Sequence, residues 1–149
     1  MSRFFAVLSS AFALPIACLL VSANPFTASA QTTIYTPIPL TPGKNVVDKL
    51  SNKDIPTGQG GFARDYVVSL QAGSQLAIDL ASENFDTLVY LLASDGTTVA
   101  ENDDGPDGTT NSLLFTRITK TGTYSIRVRS FGEVSAGNFT LKVTLLKPQ

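Results

Sequence analysis

Phe85–Ser112, FDTLVYLLASDGTTVAENDDGPDGTTNS, decides the reading of this chain. It opens on Thr87–Ala93, a short apolar run rich in β-formers. Leu88, Tyr90 and Leu92 fall on one side of it and Val89 and Leu91 on the other. Apolar residues on both sides predict a central strand covered on both faces. Asp95-Gly96 supplies a hairpin turn, because glycine and aspartate tolerate the required backbone. Thr97–Glu101 is the short return strand. An acidic, glycine-bearing loop follows, Asn102-Asp103-Asp104-Gly105-Pro106-Asp107-Gly108.

Outward from this stretch, period-two alternation recurs and no helical stripe of useful length appears. Tyr66, Val68 and Leu70 share a face, with Asp65 and Ser69 opposite. Leu76, Ile78 and Leu80 share another, with Gln75 and Asp79 opposite. Leu114 and Ile118 mark the strand after the acidic loop. Tyr124, Ile126 and Val128 alternate with Ser125, Arg127 and Arg129. Phe139, Leu141, Val143 and Leu145 form the cleanest pattern. Lys44–Leu50 is a weaker first strand, and Ser51–Gly61 reads as a loop. About eight short strands at regular spacing predict an all-β, antiparallel, jelly-roll-like sandwich. The long C-terminal strand is expected to cover an edge. Arg127, Arg129 and Lys142, with Arg117, are expected on one modest basic face. Tyr124 is expected to pack in the core with its hydroxyl on a loop carbonyl.

The first thirty residues have a different layout. Arg3 precedes an apolar run from Phe4 to Val21, and Ala28-Ser29-Ala30 supplies small residues before Gln31. This predicts a signal peptide over residues 1–30, removed on export, with no stable membrane insertion afterwards. An uncleaved anchor is the rival reading. Pro15 and the small residues favour cleavage. Residues 31–42 carry three prolines and several threonines and read as an extended linker, so the domain is expected over 43–147. The expected location is outside the cytoplasm, extracellular or periplasmic.

Composition narrows the chemistry. The 149-residue chain has 11 basic and 12 acidic residues, no His, no Trp and one Cys. Cleavage at Ala30 removes Arg3 and Cys18 together. A near-balanced charge argues against nucleic acid as a partner, which needs a basic stripe. Without His or a mature thiol, the usual general bases and thiol nucleophiles are missing. Asp103 and Asp104 are adjacent and would point to opposite faces of an extended chain, a poor arrangement for paired-carboxylate hydrolysis. The chain is therefore expected not to be an enzyme, and a small hydrolase ranks last.

The acidic loop is the candidate site. Calcium takes six to eight oxygen ligands. Asp86, Asn102, Asp103, Asp104 and Asp107 supply such groups if the strand beginning at Asp86 lies beside the loop. The loop is not an EF-hand, since no Glu stands between Glu101 and Glu133. The competing reading is turn chemistry, in which Asp and Asn bond their own backbone.

Several motifs in order resemble the bacterial pre-peptidase C-terminal, or PPC, domain family. They are DYVVSLQAGSQL (65–76), FDTLVYL (85–91), DGTTVAENDD (95–104), Asn111-Ser112, TGTYSIRV (121–128) and GNFTLKV (137–143). The resemblance implies a jelly-roll-like sandwich, export and no catalysis of its own. Some members of the family bind calcium, and some relatives bind fibrous protein. Two positions depart from the pattern: Leu113, where the family often has Arg, and Thr116, where an apolar residue is usual. The chain is expected to be a stand-alone, secreted version without a peptidase domain. The expected function is a secreted, non-catalytic binding or accessory module that contacts a protein or a cell-surface polymer. The alternative is a structural or chaperone-like accessory of a separately encoded peptidase.

Overall fold

A computed structural model describes residues 35–58, 60–132 and 136–146. The expected signal peptide, Cys18 and the start of the linker lie outside the described residues. The described residues all fall within one compact unit, Thr32–Gln149.

Ten strands are formed in this order: β1 (Ile38–Pro39), β2 (Asn45–Leu50), β3 (Ile55–Pro56), β4 (Phe62–Leu70), β5 (Gln75–Ala81), β6 (Thr87–Leu92), β7 (Thr98–Asn102), β8 (Ser112–Arg117), β9 (Gly122–Ser130) and β10 (Gly137–Leu146). No helix occurs among the described residues. One sheet runs β1-β4-β9-β6-β7, with β3 on β4. The other runs β2-β10-β5-β8. Apart from the parallel β1–β4 pair, every pairing is antiparallel. Eight of the ten strands answer to the expected set. The other two, β1 and β3, are two-residue strands on β4.

The alternation fixes the core. Tyr66, Val68 and Leu70 face Leu76, Ile78 and Leu80 across the sandwich, together with Ile126, Val128, Leu141 and Val143. Phe139 meets Tyr66 and Phe85 edge-on, with ring centroids 6.3 Å apart in each pair. A fully buried side chain of this size contributes about 1.5–3 kcal/mol relative to exposure.

Several expectations need correction. Residues 31–42 are not linker throughout. Ile38–Pro39 pairs with Tyr66–Val67, and Leu40 is buried in the core, so the fold begins before Gly43. The Ser51–Gly61 loop contains β3. Strand β10 is not an edge cover. It lies between β2 and β5, because its two sides pair with different strands. Its last inward-patterned residue, Leu145, is exposed. Strand β6 is covered fully on one face: Thr87, Val89 and Leu91 are buried, whereas Leu88 and Tyr90 are half-buried. A register shift between Leu91 and Leu92 buries Leu92 as well. There is no single basic face. Arg127 and Arg129 lie in one sheet, Arg117 and Lys142 in the other.

Polar groups close one side of the sandwich. Asp48 points inward from edge strand β2, a device that discourages edge-to-edge pairing. It receives the Tyr66 hydroxyl at 2.7 Å and an ion pair from Arg64. Arg64 Nε donates to Asp54 at 2.8 Å, and Asp54 accepts the Ser51 N–H at 2.7 Å. On the outer face of β4, Asp65 is buried rather than solvated, held by both arms of Arg127 at 2.8 Å. Tyr124 donates to the Lys120 carbonyl at 2.6 Å, as the sequence predicts.

Candidate functional site

The hairpin from β6 to β7 places the acidic loop. Asp95 Oδ1 accepts the Thr97 N–H at 2.9 Å, and Gly96 takes a φ of 84° that only glycine adopts without cost. The register Val89↔Asn102 then carries the chain past the start of β6. The loop leaving Asn102 therefore passes close to Asp86.

Hydrogen bonds strap the loop to both strands beside it. The Thr87 N–H donates to the Thr110 carbonyl at 2.9 Å. The buried Thr87 and Ser112 hydroxyls lie 2.7 Å apart, and Ser112 Oγ also donates to the Asp103 carbonyl at 3.3 Å. Asn102 Oδ1 accepts the Leu113 N–H at 3.1 Å, which ties the end of β7 to β8. Asp107 Oδ1 accepts the Thr109 N–H and hydroxyl at 3.2 and 2.8 Å. Those bonds hold the Asp107 carboxyl below its usual range.

The five candidate residues thus separate into two groups. Asn102 Oδ1 is engaged with the β8 backbone, and Asp107 Oδ1 with its own turn, as turn chemistry expects. Asp103 and Asp104 lie near enough to Asp86 for their charges to act on its carboxyl. Burial raises the Asp86 carboxyl, and the charges of Asp104 and then Asp103 raise it further. Asp86 Oδ1 is buried and has no hydrogen-bond partner among the described residues. A buried carboxylate oxygen without a donor is costly unless a cation or proton joins it. The three side chains do not yet form a cage: among the described residues no three His, Cys, Asp or Glu side chains are placed to hold a metal ion together. Asp104 is exposed and Asp103 partly so.

The Asp48–Arg64–Tyr66 cluster is a second polar centre that the alternation did not single out. The inward phase of Asp48, between Val46 and Leu50, is the signal that marks it.

A two-sheet sandwich with a loop-borne acidic cluster defines an all-β module of jelly-roll type. Residues 63–130 match the family model of the bacterial pre-peptidase C-terminal (PPC) domain. The match contains all five candidate residues. The PPC domain is a non-catalytic module of peptidases and occurs in secreted proteins. No curated protein matches the chain. Among solved structures, the fold is similar to the pre-peptidase C-terminal domain of a collagenase from Bacillus anthracis. That match has a TM-score of 0.57 and 11% identity, and covers 73% of this chain and 95% of that one. It is also similar to Aeromonas hydrophila PliG, a periplasmic inhibitor of g-type lysozyme. There the TM-score is 0.54 and the identity 14%, over 74% of this chain and 96% of that one. At these identities the likeness is one of fold. No described helix is long and apolar enough to cross a membrane.

Proposed function

We propose that the chain is an exported, non-catalytic binding or accessory module that contacts a protein or an extracellular polymer, and that calcium on its acidic loop stiffens it. The observation that carries the calcium reading is the buried, unpartnered Asp86 Oδ1 beside Asp103 and Asp104. Calcium would draw these two side chains toward Asp86, with backbone carbonyls and water completing its oxygen shell. It would offset the mutual repulsion of three carboxylates and tie the loop to the start of β6. The loop already leans on Thr87 and Ser112, so a gain in rigidity there reaches both sheets.

The PPC match and the lack of any His support a non-catalytic reading. The signal-peptide layout of residues 1–30 supports export. Two of the similar structures belong to proteins that meet other macromolecules, a collagenase and a lysozyme inhibitor, and this favours a binding role over a purely structural one.

Isothermal titration with calcium tests the site. One calcium per chain, with binding lost in Asp86→Asn and in the double variant Asp103→Asn with Asp104→Asn, is the expected result. Heat that survives in both variants would place the metal elsewhere.

A further inference from the structure

A cleft of about 450 Å³ opens on the outer face of the four-stranded sheet, at the end where β5 runs into the Ser82–Asn84 turn. Its shelf is aliphatic. Val47, Thr140 and Ala81 stand side by side across β2, β10 and β5, and Val47 is 77% exposed. Its walls are carboxamides, those of Asn84, Asn111 and Asn138, together with Glu83.

Two of these carboxamides have a fixed direction. Asn111 Oδ1 accepts the Ser82 N–H at 3.0 Å. Asn84 Oδ1 accepts the Asn138 N–H at 2.8 Å. With each oxygen pinned on a backbone donor, each Nδ2 must turn the other way, and an amide nitrogen only donates. Neither Nδ2 donates to any described residue. The Asn84 side chain is pressed against Gly137, where a Cβ would meet it at 2.2 Å, so glycine is required for this placement. Ser82 Oγ completes the support, donating to the Asn138 carbonyl at 2.8 Å and accepting the Asn84 N–H at 3.0 Å. The cleft therefore offers two preset donors, the Glu83 carboxylate as acceptor, the Thr140 hydroxyl as either, and an aliphatic shelf.

Alternating donors and acceptors suit a ligand whose groups both give and accept hydrogen bonds at short intervals. Vicinal hydroxyls on a sugar ring do so, and their ring C–H face can lie on Val47 and Ala81. The described lining carries one charge, which suits a neutral ligand. An extended peptide would more readily add to a sheet edge, whereas this cleft lies across a sheet face. We propose that it binds a neutral saccharide, with Asn84 and Asn111 as donors and Glu83 as acceptor. The proposal deepens the binding-module reading and does not depend on calcium, so the calorimetric result above can fail while this one stands.

The test is saturation-transfer NMR on the purified protein, with cellohexaose, maltohexaose and chitohexaose as probes and a neutral Gly-Ser-Ala peptide as a separate arm. At least one saccharide should receive saturation, with a Kd of roughly 0.1–1 mM as expected for a few hydrogen bonds in an open cleft. Asn84→Asp and Asn111→Asp keep the anchoring oxygen but replace the outward donor with an acceptor. Each should weaken saccharide binding about threefold to tenfold, with an unchanged Tm. In the unaltered protein, the side-chain amide resonances of Asn84 and Asn111 should shift on saccharide addition, a readout independent of whether the variants fold. No transfer to any saccharide, transfer to the peptide alone, unmoved amide resonances, or equal or tighter binding by the Asp variants would each overturn the assignment.

Discussion

Removing one oxygen from the core tests how the two sheets are joined. Tyr66 is fully buried, and its hydroxyl donates to Asp48 Oδ2 at 2.7 Å, from the six-stranded sheet to the edge of the four-stranded one. Burial alone would raise the Asp48 carboxyl. The Tyr66 hydroxyl, the Lys49 N–H and Arg64 overcome it and hold the group below its usual range. Tyr66→Phe keeps the ring and its edge contact with Phe139 and removes the donor. A hydrogen bond to a charged group contributes about 1.5–3 kcal/mol. The Asp48 side chain is 26% exposed, which places the expected loss near the lower end, about 2 kcal/mol at pH 7. The pH dependence has a definite sign. A depressed carboxyl pKa stabilises the fold above the unfolded-state value of 3.8, and that contribution is lost as pH falls through the folded-state value. The deficit of the variant should therefore shrink at acid pH, to roughly 1 kcal/mol or less, because only a neutral hydrogen bond is then removed. Urea denaturation of both proteins at pH 7 and at an acid pH where NMR titration shows the Asp48 carboxyl protonated in the fold measures this. A deficit below about 0.5 kcal/mol at pH 7, or one equal at the two pH values, would refute the reasoning.

Three further substitutions probe other parts of the structure. Phe139→Ala opens a cavity between Tyr66 and Phe85 and should cost about 3–5 kcal/mol by urea denaturation. Gly137 has a φ of 154° and no room for a Cβ against Asn84, so Gly137→Ala should lower stability by roughly 1–3 kcal/mol and broaden the Asn138 amide resonance. Asp86 has a raised pKa, so it favours the fold below the unfolded value of 3.8 and loses that contribution as pH rises through the folded value. In calcium-free buffer, Asp86→Asn should accordingly melt higher than the parent at pH 7 and no higher at pH 3.

The faces of the strands were legible in the sequence, and their partners were not. Alternation assigns Tyr66, Ile78, Val128 and Leu141 inward because side chains change face at every residue. It does not say that β10 pairs with β2 on one side and β5 on the other, so Arg127 and Lys142 were expected together and lie in different sheets. Asp65 alternates outward like any polar residue. Its burial depends on Arg127, sixty-two positions away, reaching across from β9. The short strand at Ile38 was hidden by the neighbouring prolines. Pro39 can join β4 because that pairing lies at the margin of the sheet, where a missing N–H is tolerated. The approach of Asp86 to Asp103 and Asp104 was legible through the Asp95-Gly96 hairpin, which fixes the local register. The Asp107 turn was legible too, as turn chemistry, but the Asn102 bond to Leu113 was not, because it depends on how the loop returns to β8.

The proposal that calcium stiffens the acidic loop is tested most directly by melting temperature against free calcium, with magnesium as the control. A ligand bound only to the native state at about a hundredfold above its Kd adds about 2.7 kcal/mol. The account predicts a rise of several degrees with calcium, little or none with magnesium, and none in the Asp103→Asn, Asp104→Asn double variant. A melting temperature that stays flat through millimolar calcium would contradict it.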